Sequence, residues 1–380
     1  MHVAFAIDGL GSGGAQRQAV ELARALRRDP ALRVSFLVYH DVPFYESRLR
    51  EAGVGPAKFV KRFRLDPTVP LRIARWIARE RPDVVHSFLL RPSLVIGAAL
   101  ALLPRRARPV WIAAERSALI ATTRALELEQ RLVYGRCDAV TANARAVADE
   151  LVQRLRVPVS AVHYLPNGID LADWDLRAAA APPAEPEAGM RHLALVGGLR
   201  PEKGHDVLLR AFARCDAALR ARWKLWLVGA ETGGPDAARR VHESVSRARL
   251  AATVRFLDAT PAIAALLARM DALVLPSLYE GFPNVLLEAM ASRLPTIASA
   301  VGDVPEMIEH GVTGWIVPPG DVEALTRVLA DLDGLAPDAA REMGRRARAT
   351  VEARWRIEAV AGRTAALYRS LCDRRAAGEP

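Results

Sequence analysis

Short apolar runs separated by longer amphipathic stretches recur along the whole chain. ValAlaPheAlaIle (3–7) leads into a glycine-rich turn and then a stretch through Leu26 whose apolar positions repeat at helical spacing. ArgValSerPheLeuValTyr (33–39), AspValValHisSerPhe (83–88), ValTrpIleAlaAla (110–114) and AspAlaValThrAla (138–142) follow, each of strand length, with helical patterns between them. A Pro/Ala-rich segment, residues 178–189, interrupts the rhythm as a linker. The pattern then restarts at 192–198, 224–229, 253–257, 272–276 and 296–299. Alternating strands and helices predict an α/β protein of two Rossmann-like, doubly wound parallel sheets. The expected domains are 1–177 and 190–354, with a last helix near 355–380.

Residues 274–291 place an apolar strand, a Gly/Pro turn and an apolar helix in immediate succession, with Glu280 in the turn and Glu288 in the helix. Pro283 is expected in the first helical turn. A strand running straight into a helix start offers free backbone amides and the positive end of the helix dipole, which suits a phosphate or diphosphate. The two carboxylates then need hydroxyl partners, so the stretch reads as a place for a phosphorylated sugar or nucleotide. In an open α/β sheet, ligands sit at the carboxyl ends of the strands.

Two other loops have the same character. ValGlyGlyLeuArgProGluLysGly (196–204) carries Arg200 and Lys203 out of the first strand of the second domain, a planar fork and a point charge for phosphate oxygens. GlyLeuGlySerGlyGly (9–14) lets backbone approach an anion closely. It lacks the acidic residue that a dinucleotide site places about 20 positions later, since Asp29 precedes the next strand and Asp41 comes too late.

Composition narrows the classes. A chain of 380 residues, 51% apolar, fills two cores. Cys137, Cys215 and Cys372 form no metal or redox spacing, and the expected compartment is a reduced cytoplasm. No signal peptide is expected, and the longest apolar run, Leu94 to Leu103, reads as a core helix. The net charge of +10 is uneven: residues 1–176 hold 26 Lys and Arg against 18 Asp and Glu, a surplus of eight. LysPheValLysArgPheArgLeu (58–65) concentrates that surplus around Phe59 and Phe63, as an interfacial contact with anionic membrane would. No helix-turn-helix, zinc spacing or aromatic single-strand platform is apparent, so nucleic acid is not an expected partner.

GluGlyPheProAsnValLeuLeuGlu (280–288) resembles the E-x7-E motif of retaining glycosyltransferase family 4, and LeuArgProGluLysGly (199–204) resembles that family's phosphate-binding loop. GlyGlyAlaGln (13–16), ProAsnGlyIleAsp (166–170), ValGlyAspValProGluMetIle (301–308) and GlyValThrGlyTrpIleValProProGly (311–320) are similar to family segments in family order. The resemblance implies a GT-B fold, two facing Rossmann-like domains with a cleft between them. It also implies a nucleotide-sugar donor, UDP- or GDP-linked, held mostly by the second domain, an acceptor held by the first, and no required cofactor or metal. A last helix would cross back onto the first domain.

Carried over, Glu288 would hold the ribose hydroxyls. Glu280 with Gly281, Phe282, Asn284 and Val285 would contact the donor sugar, Arg200 and Lys203 would neutralise the diphosphate, and Gly13 and Gly14 would approach the diphosphate or acceptor. Two positions depart from the family. Gly198 stands where many relatives have Arg, leaving Arg200 as its substitute. Arg116, beside Glu115, stands where many relatives place a His, so His86 becomes the remaining histidine candidate for the catalytic site. The expected function is transfer of a sugar to a lipid-linked or other cell-envelope glycan at the inner face of the plasma membrane. The alternatives are a nucleotide-sugar epimerase and a non-enzymatic binder of anions or nucleic acid.

Overall fold

The computed structural model describes residues 1–63, 66–116, 123–231 and 234–378. The chain divides into two compact units, Met1–Gly168 with Ile357–Pro380, and Ile169–Arg356. Arg64 and Leu65 of the basic-aromatic segment, Ser117 beyond Arg116, and the last two residues of the expected C-terminal helix lie outside the described residues.

In the first unit the strands are β1 (His2–Ile7), β2 (Arg33–Val38), β3 (Pro56–Lys58), β4 (Val84–Phe88), β5 (Val110–Glu115), β6 (Ala139–Ala142) and β7 (Val162–Tyr164). They form one parallel sheet in the order β3-β2-β1-β4-β5-β6-β7. In the second unit β8 (Arg191–Val196), β9 (Trp223–Val228), β10 (Val254–Leu257), β11 (Ala272–Leu275), β12 (Thr296–Ser299) and β13 (Trp315–Val317) form a parallel sheet in the order β10-β9-β8-β11-β12-β13. Both sheets carry helices on the crossovers, so their central strands are buried on both faces. Every residue of β1, β4 and β5 is buried. The doubly wound α/β reading therefore holds for each half. The strands not read from the sequence, β3, β7 and β13, have three residues each, too few for a periodicity to register.

The two sheets share one plan. Each chain segment starts in the middle, winds outward through the next two strands, and returns to lay its fourth strand on the other side of the first. The strand order thus reverses between β1 and β4 and between β8 and β11, where neighbouring loops diverge and leave room for a ligand.

One boundary differs from the expected ones. Residues 169–177 belong to the second unit rather than the first. Asp170 caps the helix Leu171–Ala178 through Asp173 N at 3.1 Å, fully buried Trp174 donates its indole N–H to Ser292 Oγ at 3.0 Å, and the Arg348 fork grips Asp175 at 2.8 and 2.7 Å. An indole anchored in that core settles where the segment goes. The last helix, Ile357–Ala376, packs with the first unit: Val360, Ala361, Ala365 and Tyr368 join its core, and Ile357 lies against Gly168.

Candidate functional site

At the reversal between β8 and β11 the loops leaving the two strands are bonded to each other. Leu278 N donates to Glu202 O at 2.8 Å. Gly204 turns the chain at φ +69° into the helix His205–Arg214, and a Cβ there would lie 2.0 Å from Pro276 O. Only glycine tolerates both the left-handed backbone and that approach. The short 3₁₀ turn Pro201–Lys203 is thereby held against the loop that carries Glu280.

Lys203 donates from Nζ to Glu280 Oε1 at 2.6 Å, and Ser277 Oγ donates to the same oxygen at 2.8 Å. Both partners of the ion pair are largely covered, and Ser277 is fully buried. The lysine stem passes over Gly197, where a Cβ would press on its Cδ at 3.2 Å. Ser277 and Gly197 are parts of this arrangement that the sequence reading missed. A hydroxyl two residues beyond a wholly apolar strand was the available signal for Ser277. Arg200 reaches the same edge but is more exposed, its Nε 3.1 Å from Glu202 Oε1. Gly198 is occupied locally, its carbonyl accepting from Arg200 N at 2.7 Å.

The second carboxylate arrives on the helix Asn284–Ala291. Pro283 stands at the cap position, one residue before the first turn where it was expected, and supplies no side-chain cap bond. Glu288 is 3% exposed, so its charge is sheltered from solvent. Val285 and Asn284 are half-buried at the helix start. The turn before them is pinned by backbone: Asp303 N donates to Gly281 O at 2.9 Å, and a Cβ on Gly302, at φ +53°, would lie 2.2 Å from the same oxygen. Phe282 was expected in the donor-sugar turn. Its ring is buried edge-on against Trp355 at 5.7 Å, so it anchors the turn and leaves only its backbone for a ligand.

In the first unit Gly13 precedes the helix Gly14–Leu26, whose start has no side-chain cap and no acid in its first turn. Asp8 Oδ1 accepts from Gly9 N at 2.8 Å and Gln16 Nε2 at 3.0 Å, tying the glycine turn to the helix. A side chain at Gly13 would collide with Gln16. Arg116 follows the last residue of β5 and donates from Nη2 to Asn167 Oδ1 at 2.9 Å. Burial pulls its pKa down to about 10.

His86 was the remaining histidine candidate. It is 1% exposed, its Nδ1 is 2.7 Å from Tyr368 Oη, its Nε2 is 3.2 Å from Thr141 Oγ1, and its ring stacks on Phe88 at 4.5 Å. Burial, assisted by the Arg116 charge, pushes its pKa down to about 3. A neutral imidazole with both nitrogens engaged by protein docks the last helix.

The basic-aromatic segment is more mixed than its composition indicates. Lys58 is neutralised by Asp41 and Glu46 at 2.7 and 2.8 Å, Lys61 lies over the Tyr39 ring at 4.4 Å, and Phe63 is 59% exposed. Among the described residues no helix is long and apolar enough to cross a membrane.

Comparison with known proteins places both halves. Residues 12–173 match the model of Glycosyltransferase Family 4, and residues 191–332 match Glycosyl transferases group 1. The chain is 30% identical over 312 residues to glycogen synthase of Mycobacterium tuberculosis, covering 76% of this chain and 69% of that protein. It is 33% identical over 245 residues to the lipopolysaccharide core biosynthesis mannosyltransferase LpcC of Rhizobium leguminosarum bv. viciae, covering 62% and 65%. Anabaena Alr3699/HepE, solved with UDP and glucose, superposes with a TM-score of 0.83 at 20% identity over 97% of this chain and all of that one. The matched region spans 46 to 54% of the length of three further curated relatives. The fold is therefore the GT-B fold of two Rossmann-like domains.

Proposed function

We propose, for a chain that belongs to the glycosyl transferases of group 1 and family 4, that it transfers a sugar with retention from a nucleoside-diphosphate donor to a lipid-linked or other cell-envelope glycan. The observation that carries the reading is the Lys203–Glu280 contact at 2.6 Å, set where the strand order reverses and beside the uncapped helix that bears Glu288. A diphosphate entering there meets an ammonium, a nearby guanidinium and two helix starts, while the carboxylates accept hydroxyl hydrogens from ribose and sugar.

In the proposed reaction the bond between the anomeric carbon and the leaving phosphate oxygen breaks, and the acceptor hydroxyl oxygen attacks that carbon from the same face. Its proton passes to the departing phosphate oxygen. The products are the glycosylated acceptor and the free nucleoside diphosphate. Lys203 and Arg200 lower the cost of the charge that develops on the leaving group, and no metal is required for that role. Glu280, held from behind by Ser277, orients the donor sugar. UDP or GDP is the proposed leaving nucleotide, in keeping with the UDP-bound Anabaena neighbour.

The proposed acceptor class is supported by the basic first half and by the similarity to a lipopolysaccharide core mannosyltransferase. The protein would meet such an acceptor as a peripheral protein at the cytoplasmic membrane face. Thermal stabilisation by UDP, GDP, ADP, CMP and dTDP tests the donor site first, because a ligand bound only by the native state raises the melting temperature. One diphosphate should stabilise clearly, and Glu288→Ala should lose the effect. A flat response to all five at millimolar concentration overturns the site. Product formation that needs an acceptor separates transfer from epimerisation.

A further inference from the structure

We infer that Arg116 receives an anionic group, a carboxylate or phosphate carried by a sugar or polyol substrate. The inference rests on the glycosyl-transfer reading only for calling that molecule a substrate. The guanidinium itself carries the argument.

Two other largely covered arginines have carboxylates. Arg348, 6% exposed, is held by Asp175 and Glu352, and Arg48 by both nitrogens on Glu21. Arg116 has an amide oxygen of Asn167 at 2.9 Å and the Phe88 ring 5.4 Å away. Its Nε is buried with no hydrogen-bond partner, and among the described residues no carboxylate forms an ion pair with it. The adjacent Glu115 is turned elsewhere: its Oε2 accepts from Tyr134 Oη at 2.6 Å and its Oε1 from the Arg116 backbone N–H at 2.9 Å. A desolvated cation without a counter-charge costs free energy that a neutral side chain would not. Its lowered pKa reports the same desolvation.

The surroundings suit an anion that also bears hydroxyls. β5 and β6 pair Glu115 with Ala142, so Arg116 and Asn143 leave the sheet side by side at its carboxyl edge. Asn143 is 3% exposed and its Oδ1 has no partner. The nine-residue helix Arg145–Gln153 starts next, with no side-chain cap at Ala144, no acid in its first turn and Arg145 as its first residue. A guanidinium, a helix start and an orphan amide oxygen together match a sugar acid or sugar phosphate: charge to the cations, hydroxyl hydrogen to the amide.

The anion belongs either to the donor sugar or to the acceptor, and ligand pairs distinguish the two. Wild type, Arg116→Gln and Arg116→Lys would be titrated by saturation-transfer NMR and thermal denaturation. UDP-glucuronate against UDP-glucose reads the donor. Glucose 6-phosphate and glucuronate against glucose, each with and without saturating UDP, read the acceptor. In one arm the charged member should bind wild type at least ~10-fold more tightly, a preference abolished in Arg116→Gln and partly kept in Arg116→Lys. UDP alone should bind all three proteins equally, which also certifies their folding. Equal binding of charged and neutral members in both arms, or a preference that survives Arg116→Gln, overturns the inference. Failure of UDP to bind wild type would instead strike the donor site, while the nucleotide-free arms still decide the role of Arg116.

Discussion

Lys203 and Glu280, 77 positions apart, meet at 2.6 Å because the loops after β8 and β11 are bonded backbone to backbone. The lysine is neutralised by a carboxylate that the proposed reaction assigns to the sugar. A diphosphate arriving at this edge would compete for the ammonium and release one carboxylate oxygen toward the donor.

Lys203→Ala should therefore damage transfer more than binding. Loss of one charge-stabilising contact in the transition state predicts a fall in kcat/KM of roughly 100-fold. Steady-state kinetics with varied donor checks it, and a change confined to KM would assign the lysine to ground-state binding alone.

Ser277→Ala removes one hydrogen bond to Glu280 at a fully buried position. A net loss of about 1 kcal/mol corresponds to roughly a fivefold lower kcat/KM. Ser277→Thr, which keeps the hydroxyl, should recover most of it. Equal kinetics for the alanine and threonine variants would remove the hydroxyl from the account.

Gly204→Ala should destabilise the second unit, because the new Cβ meets Pro276 O in a left-handed backbone conformation. The expected cost is about 2 kcal/mol or more, with loss of UDP-induced stabilisation. Chemical denaturation measures the first and thermal shift the second. A variant as stable as wild type would mean that the two loops are not held at this distance.

His86 predicts an acid-side loss of stability. The unfolded chain protonates this residue near its ordinary pKa of 6.5, whereas the native state resists until about 3. Between those values the unfolded state binds the extra proton, so stability falls with pH by up to about 1.4 kcal/mol per pH unit; above the upper value the residue adds no slope. His205, driven down to about 4 mainly by burial, adds to the same window. Unfolding free energy from pH 7 to 4 should have a slope shallower by about one proton in His86→Gln. An unchanged slope would contradict the neutral core assignment.

If the basic-aromatic segment docks on a membrane, as proposed, the exposed Phe63 should matter more than Lys58, which is already paired. Phe63→Ser with Lys61→Ser and Arg62→Ser should reduce sedimentation with anionic vesicles several-fold, and Lys58→Ser should change it little. Loss of binding in the Lys58 variant alone would reverse that ranking.

The apolar rhythm of the chain was sufficient to predict two parallel α/β sheets, because strands buried on both faces must be continuously apolar and their crossovers amphipathic. It placed the helix after the glycine turn, Gly14–Leu26, and located the loops that carry Lys203 and Glu280. Three-residue strands escaped it, and so did the membership of residues 169–177, since what holds them is an indole bond to Ser292 and an arginine fork from Arg348. The family resemblance could nominate His86 and Arg116 as equals. Only the tertiary structure separated them, by surrounding one with a tyrosine and a threonine and leaving the other desolvated without a carboxylate among the described residues. Local pattern specifies which elements form, because periodicity acts within a few residues. Which side chains meet, and which charge goes unpaired, depends on strand order and burial that no local pattern contains.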